Sequence, residues 1–356
     1  MPDLIQLGLS DELWRQYESE GFDRSDLSRV IKEHKELYEI QNADGVFKAE
    51  ITGNLRYAAD SRADFPAVGD WVETSLFDGG QAIIHNILPR FSSLERQSVS
   101  SHGEKQLIAT NINKAFIVQA VDRDFNLNRL ERYFVIAHNG GIEPIIILNK
   151  TDLITDQDLS DIKSQVIERM NNAPIFLTST ISKTGLDEIV DALEKEQTYC
   201  FIGSSGVGKS SIINYLLGEE MLETKQISMA TNKGMHTTTH RELIMLDNGS
   251  ILIDTPGMRE IGMTESSTGL VMTFNDIVTL AKECKFKNCT HTDEPGCKVL
   301  QAIDDEMISY EEFENYKKLQ RQTEHFGATI AEKRKKDKAF GKMAKEIISV
   351  KRKNKY

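Results

Sequence analysis

The chain has 356 residues, of which 39% are hydrophobic and 28% charged, and its formal net charge is −12. This length predicts two or three domains, and no stretch reaches the roughly 18 continuous apolar residues that a membrane helix requires. The acidic N-terminal residues do not resemble a secretory signal, and four cysteines are too few for a disulfide framework. We therefore expect a cytoplasmic protein without a membrane segment.

Charge is distributed unevenly along the chain. Residues 333–356 contain eleven Lys or Arg and two acidic residues, a net charge of +9, so the remainder carries −21. This asymmetry predicts a basic arm that binds a polyanion. The alternative is a tail that is merely solvated.

Within the first hundred residues, the sequence pattern changes near residue 36. Residues 1–35 are expected to form one or two short acidic helices, the first capped by Ser10. From about 36 to 100, short β-prone runs such as VFKAEITG and QAIIHNILP alternate with turns rich in Gly, Asp and Asn. This pattern predicts a small antiparallel barrel of OB or SH3 type, a fold that often binds nucleic acid. Residues 92–107 are expected to be a polar linker.

Beyond about residue 108, apolar strands alternate with amphipathic helices, which predicts a mostly parallel sheet covered by helices on both faces. The sequence Asp247-Asn248-Gly249 predicts a hairpin turn. After about residue 264 the chain is expected to be helical, with an interruption at a group of cysteines. The predicted helices of the α/β region lie around 127–138, 157–170, 185–196 and 209–217.

The sequence NKTD, at the end of the apolar run IIIL, indicates recognition of a nucleotide base. A carboxylate at Asp152 can accept hydrogen bonds from guanine N1–H and the exocyclic amine, whereas adenine would leave it unpaired. Asn149 is expected to brace the base and the phosphate loop, and the Lys150 stem to cover the ring. Four such residues alone could also form a helix-capping turn. The predicted guanine-binding residues are Asn149, Lys150, Thr151 and Asp152.

The loop TSTISKTGL follows the next predicted strand and is a candidate second contact with the base. Ser179 and Thr180 are expected to present backbone N–H groups to guanine O6. A loop that only caps the following helix is the alternative.

The sequence GSSGVGKS lies between the apolar run TYCFI and a helical stretch, and it has the pattern of a phosphate-binding loop. Its glycines let successive backbone N–H groups face phosphate oxygens at a helix N-terminus. Lys209 is expected to reach the β- and γ-phosphates and Ser210 to bind Mg²⁺. A glycine-rich turn without a ligand is the alternative. The predicted GTP-binding residues here are Gly203, Ser204, Ser205, Gly206, Val207, Gly208, Lys209, Ser210 and Ser211.

The sequence DTPG closes the apolar run SILI. Asp254 is expected to hold Mg²⁺, and the Gly257 N–H to contact the γ-phosphate. Met258 follows this glycine, where many GTPases have a glutamine that orients the attacking water. The side chain of methionine has no group for that role.

The segment KGMHTTTHREL lies where a switch loop is expected, between the phosphate-loop helix and DTPG. Thr238 is the expected Mg²⁺ ligand, beside Ser210 and Asp254. His236 is a candidate to orient or deprotonate water in place of the missing glutamine. An RNA-facing histidine or a purely structural one is the alternative. The predicted catalytic residues are therefore His236, Lys209 and Thr238.

The sequence CKFKNCTHTDEPGC has the spacing C-x4-C-x-H-x5-C. Three thiolates and one imidazole match a closed tetrahedral zinc site, which is structural rather than catalytic. The alternative is three buried free cysteines near a polar histidine, but the flanking residues are poorly suited to burying thiols. The predicted zinc ligands are Cys284, Cys289, His291 and Cys297.

The motifs occur in the order base-reading, base-supporting, phosphate loop, switch I, switch II, followed by the zinc cluster. This order resembles the ribosome small subunit-dependent GTPase A family, the circularly permuted bacterial GTPases of 30S subunit maturation, over about residues 36–330. The resemblance implies slow GTP hydrolysis that the 30S subunit accelerates, contact with its 16S rRNA, and release after hydrolysis. Met235 stands where the family often has Arg, and the acidic residues 1–35 extend beyond the usual barrel start. We expect a monomer that binds GTP and GDP.

The predicted fold is multi-domain, with an N-terminal OB-type β-barrel, a central circularly permuted α/β P-loop GTPase domain and a C-terminal helical zinc-binding domain. An RNA- or ribosome-binding module in which GTP is only a regulatory ligand is the alternative function; a P-loop kinase would leave NKTD without a role. The expected divisions are an acidic helical extension (1–35), the barrel (36–100), the GTPase domain (108–264), the zinc-binding domain (265–332) and a basic arm (333–356).

Overall fold

The computed structural model describes residues 3–34, 37–97, 105–122, 125–170, 172–218, 241–254 and 266–327. The helices in these ranges are α1 (Asp11–Ser19), α2 (Gly53–Ala58), α3 (Leu127–Asn139), α4 (Asp156–Arg169), α5 (Leu186–Ala192), α6 (Lys209–Leu217), α7 (Thr268–Thr273), α8 (Asn275–Lys282), α9 (Lys298–Asp304) and α10 (Tyr310–Gly327). The strands are β1 (Leu27–His34), β2 (Leu37–Gln41), β3 (Val46–Ile51), β4 (Trp71–Phe77), β5 (Gln81–Ile87), β6 (Ser93–Gln97), β7 (Lys105–Thr110), β8 (Lys114–Ala120), β9 (Glu143–Asn149), β10 (Ile175–Thr178), β11 (Thr198–Ile202), β12 (Arg241–Met245) and β13 (Ile251–Asp254).

The first five strands form the predicted barrel. They pair in the order β1-β2-β3-β5-β4, and β4 closes the ring by pairing with β1. Strands β3 and β5 are parallel, while the other barrel pairs are antiparallel. This is the five-stranded arrangement of an OB-fold. Alternate side chains fill the interior because successive residues of a strand point to opposite faces; they include Val30, Tyr38, Ile40, Val72 and Ile84.

The expectation that residues 1–35 are helical was wrong for their second half, because Leu27–His34 forms β1. Polar residues conceal this strand in the sequence. Arg29 is completely buried, and its guanidinium donates to Gly69 O, Asn111 O and Thr198 Oγ1. The barrel therefore starts earlier than predicted. The expected polar linker 92–107 was also wrong, since β6 lies within it and pairs with β7, which begins in it, and Leu94 is buried.

The N-terminal segment packs against the junction of the barrel and the α/β domain. Ser10 caps α1 as predicted, accepting a hydrogen bond from Leu13 N at 3.2 Å. The apolar side of the segment is buried against β1, β4 and the chain after β5. Its acidic residues are exposed. The buried side chains of this cluster are Leu4, Leu7, Leu9, Leu13, Tyr17, Leu27, Trp71 and Leu88.

The α/β domain has the predicted architecture. Strands β10, β9, β8, β11 and β13 are parallel, and β12 is antiparallel to β13. Helices α3 and α4 cover one face and α5 and α6 the other, so the central strands are buried on both sides. The predicted hairpin is confirmed, with Leu246 N donating to Ser250 O and Gly249 at φ +84°.

The barrel and the α/β domain share one sheet, because β1 pairs with β12. Lys32 lies opposite Glu242 and Glu33 opposite Arg241 in this antiparallel pair. Eleven of the described strands thus form one sheet.

Helices α7 and α10 pack against α3, and α8 and α9 share their hydrophobic cluster on the face of the sheet that α4 also covers. The carboxylate of Glu131 in α3 is buried and accepts hydrogen bonds from Arg169 of α4 and from Asn315 of α10. The predicted helical domain is confirmed. None of the helices in the described ranges combines the length and apolarity needed to span a bilayer.

Candidate functional site

The predicted phosphate loop joins the end of β11 to the start of α6, in the middle of the parallel sheet. Two of its glycines are required by close approach. A Cβ on Gly203 would lie 2.3 Å from Val118 O, and one on Gly208, at φ +103°, would lie 2.1 Å from Asn149 Nδ2. The loop can therefore pass directly over the neighbouring strand ends only with glycine there.

Lys209, the first residue of α6, lies against the loop itself. Its Nζ donates to Gly203 O at 2.7 Å and to Ser204 O at 2.6 Å. A cation held inside a loop of backbone N–H groups at a helix N-terminus makes an anion-binding site. The nine predicted residues from Gly203 to Ser211 all belong to this loop and the first turn of α6.

The NKTD residues begin at the end of β9 and meet the phosphate loop. Asn149 is fully buried; its Nδ2 donates to Val207 O at 2.7 Å, and its Oδ1 accepts from Thr178 Oγ1 at 3.0 Å. Thr151 Oγ1 donates to Thr178 O at 3.1 Å. Asn149 thus joins the phosphate loop to the end of β10, which leads into the second base-side loop.

Lys150 and Asp152 follow in the same turn. Lys150 adopts a left-handed conformation, with φ +66°, and its Nζ lies 2.8 Å from Asp122 Oδ2. Asp152 accepts a hydrogen bond of 2.5 Å from Ser179 Oγ at Oδ1. An ionised carboxylate has a second oxygen and further lone pairs, so this bond leaves acceptor capacity for a guanine.

Ser179 departs from its predicted role. Its backbone N–H donates to Thr184 O at 3.1 Å and is therefore engaged within the loop. Its hydroxyl holds Asp152 instead. Of the two N–H groups expected to face guanine O6, Thr180 N–H remains the prediction.

Asp254 ends β13, next to the strand that leads into the phosphate loop. Carboxylate and hydroxyl oxygens are the donors that Mg²⁺ prefers, so Asp254 and Ser210 fit the expected ion. The other predicted residues of this region, His236, Thr238 and Gly257, lie outside the described residues and stay predictions.

The four predicted zinc ligands come together between α8 and α9. Their ligand atoms all lie within 4.8 Å of one another. His291 Nδ1 is 3.3 Å from Cys297 Sγ, and the sulfur atoms of Cys284 and Cys297 are 3.9 Å apart. Tetrahedral zinc with bonds of about 2.3 Å separates sulfur ligands by about 3.8 Å. The cluster Cys284, Cys289, His291 and Cys297 can therefore hold one zinc ion.

The pKa shifts within this cluster differ in direction: those of His291 and Cys284 favour the metal-binding forms, whereas burial raises the pKa of the Cys289 thiol to about 11. Burial lowers the pKa of His291, which keeps the imidazole neutral and able to bind a metal. Partial burial opposes ionisation of Cys284, but backbone N–H groups of Lys298 and Val299 bond its sulfur and lower its pKa overall. A thiolate is the form that binds zinc.

Two residues near the phosphate loop were not predicted. Arg129 Nη1 and Tyr133 Oη of α3 each lie 3.3 Å from Ser204 Oγ. No local motif marks them, because they meet the loop only through the packing of α3. Asp122 was also missed, although its place just after β8, at the carboxyl end of a parallel strand, is where ligand-binding residues gather.

Comparison with known proteins agrees with this arrangement. The family model described as RsgA GTPase matches residues 87–264. The small ribosomal subunit biogenesis GTPase RsgA 1 of Bacteroides thetaiotaomicron is 39% identical over 345 residues, which cover 97% of this chain and 96% of that protein. The small ribosomal subunit biogenesis GTPase RsgA 2 of Lactiplantibacillus plantarum is 45% identical over 301 residues, covering 85% and 84%.

Solved structures give the same result. YjeQ from Thermotoga maritima superposes with a TM-score of 0.63 at 25% identity, covering 85% of this chain and 99% of its own. YloQ, described as a circularly permuted GTPase, has a TM-score of 0.61 at 25% identity and covers 85% and 96%. The order of the motifs along the chain and these likenesses lead to one assignment: the chain belongs to the RsgA GTPase family.

Proposed function

We propose that this chain is a GTP hydrolase that binds the 30S ribosomal subunit and acts in late maturation of that subunit. The observation that carries the proposal is the junction at Asn149, which joins a phosphate loop to a guanine-reading turn. The names of the two relatives, both small ribosomal subunit biogenesis GTPases, support the choice of partner.

The nucleotide is bound from both ends. The loop from Gly203 to Gly208 and the ammonium of Lys209 hold the phosphates, and Asp152, oriented by Ser179, selects guanine. An adenine would leave this carboxylate without its two base donors, which disfavours ATP. When bound, Mg²⁺ supplies positive charge that offsets the charge of the phosphates.

We propose that Ser210, Thr238 and Asp254 hold that ion, that Gly257 contacts the γ-phosphate and that His236 orients the attacking water. Met258 follows the glycine of DTPG, so a glutamine is not available at that position. Intrinsic hydrolysis is then expected to be slow.

The ribosomal contact is proposed to involve 16S rRNA through the barrel and the basic residues 333–356. On the barrel, Tyr57 of α2 is 94% exposed and adjoins Arg56, a pairing suited to stacking on a base and binding a phosphate. We propose that the zinc is structural and that the protein is a cytoplasmic monomer. We keep the predicted five-part division, with the start of the barrel moved to Leu27.

The test is GTP turnover with and without purified 30S subunits, for the wild type and for Lys209→Ala and His236→Ala. We expect the subunits to accelerate the wild type strongly and Lys209→Ala to be inactive. Turnover that does not respond to subunits would remove the ribosomal role. If Lys209→Ala bound to the 30S subunit and dissociated from it like the wild type, the result would favour the alternative function, a binding module in which GTP is only a regulatory ligand.

A further inference from the structure

A row of charged residues runs across the sheet from the barrel to the end of β13. Lys32 of β1 lies opposite Glu39 of β2 on one side and opposite Glu242 of β12 on the other. Glu242 in turn lies opposite Asp254 of β13. Directly opposed residues of antiparallel strands share one face, with Cβ atoms about 4.5–5.5 Å apart. The row therefore ends at the carboxylate proposed to hold Mg²⁺.

Lys32 is bound by the two glutamates beside it. Its Nζ lies 2.7 Å from Glu242 Oε1 and 3.8 Å from Glu39 Oε2. The hydrogen bond to Glu242 is the main cause that raises the pKa of Lys32, so the amine remains charged.

Glu242 places a negative charge beside a second one. Like charges directly opposite each other on a sheet repel. The ammonium of Lys32 is the nearest described group that offsets Glu242, and it belongs to the barrel rather than to the GTPase domain.

We propose that Lys32 and Glu242 are positioning residues for the GTPase site, and that together they set the electrostatic potential at Asp254. The inference rests on the proposed function, because Asp254 matters in this way only if it serves the Mg²⁺-bound nucleotide. The barrel then completes the nucleotide site in addition to any contact that it makes with RNA.

The same strand pair offers a matched control on its other face. Glu33 is next to Lys32 on β1, so its side chain points to the opposite side of the sheet. It lies 2.8 Å from Arg62 and 3.5 Å from Arg241. Glu33→Gln changes one charge at the same junction but on the face away from Asp254.

The experiment measures equilibrium binding of a fluorescent, non-hydrolysable GTP analogue at increasing Mg²⁺ and low ionic strength. Lys32→Met leaves Glu242 uncompensated, makes the site more negative and should lower the half-saturating Mg²⁺ concentration. Glu242→Gln leaves Lys32 uncompensated and should raise it. The two side chains are 39% and 42% exposed, so water weakens each shift to about threefold.

The double variant Lys32→Met/Glu242→Gln should return close to the wild-type value, and Glu33→Gln should not depart from it. The shifts in half-saturating Mg²⁺ concentration should become smaller at about 0.5 M salt, because salt screens the interactions between charges. Urea unfolding of each variant without nucleotide reports any loss of stability separately.

A purely structural role would move both single variants in the same direction, because each leaves one charge of the pair unpaired. That pattern, or variants indistinguishable from the wild type, would overturn the inference and leave the proposed function standing. A wild-type protein that does not bind the GTP analogue would instead count against the proposed function itself.

Discussion

The hydroxyl of Ser179 separates two accounts of how the base is read. If Ser179 contributed only its backbone N–H, Ser179→Ala would be silent. In the structure that N–H is bonded to Thr184 O, while the hydroxyl donates to Asp152 Oδ1 and accepts from Ile181 N and Ser182 N at 3.3 and 3.2 Å. The substitution therefore removes a hydrogen bond to a carboxylate and leaves two backbone donors without this acceptor.

The magnitude follows from those bonds. A hydrogen bond to a charged group contributes roughly 1.5–3 kcal/mol, and about 1.4 kcal/mol corresponds to a tenfold change in affinity. Ser179 is buried but Asp152 is exposed, so water weakens the bond between them and we expect the lower end, a loss of about tenfold in GDP affinity. ADP affinity should change little, because Asp152 does not pair with adenine.

The assay is equilibrium binding of fluorescent GDP and ADP to the wild type, Ser179→Ala and Thr184→Val. The bond described for Thr184 Oγ1 is to the exposed hydroxyl of Ser182, so Thr184→Val serves as the control. Unchanged GDP affinity in Ser179→Ala would refute the reasoning. An equal loss of GDP and ADP affinity would also refute it, since that would indicate a collapsed loop.

Three further outcomes are expected. Gly206 and Gly208 both have a positive φ, which strains any substitution, but only a Cβ at Gly208 also meets Asn149 Nδ2, so Gly208→Ala should weaken GTP binding more than Gly206→Ala in the same titration. Cys297→Ser should lose the zinc found by metal analysis and expose its segment to hydrogen exchange, while Cys200→Ser, away from the cluster, should keep it. Burial raises the pKa of Glu131 to about 7 despite Arg169. The folded state therefore holds this proton more tightly than the unfolded state does. As pH rises from about 4.5 through 7, the protein should lose the stability due to protonated Glu131, up to about 3 kcal/mol. Urea unfolding measured against pH should show a flatter stability profile for Glu131→Gln, and a profile identical to that of the wild type would contradict this.

The sequence predicted the parts of the site whose chemistry is local. The glycines of the phosphate loop, the NKTD turn and the zinc cluster each depend on residue types at fixed spacing, so they could be recognised before any tertiary contact was known. The alternation of strands and helices likewise predicted the parallel sheet.

The rest depended on contacts between distant segments. Strand β1 was hidden because Arg29, a charged residue, is buried with acceptors from four other parts of the chain, at Leu7, Gly69, Asn111 and Thr198. The role of Ser179 changed because its N–H is taken by Thr184, a choice made by the loop conformation. Arg129 and Tyr133 reach Ser204 only because α3 packs beside the phosphate loop.

The pairing of β1 with β12 also bears on solubility. Without the barrel, β12 would be the outer strand of the α/β sheet, with a row of unpaired N–H and C=O groups. Such a row is a template for pairing with other chains and a common start of aggregation. At the opposite edge, β10 has only four residues, which limits pairing there. The barrel covers this edge at Arg241 and Glu242, and a GTPase domain expressed without it is expected to self-associate through β12.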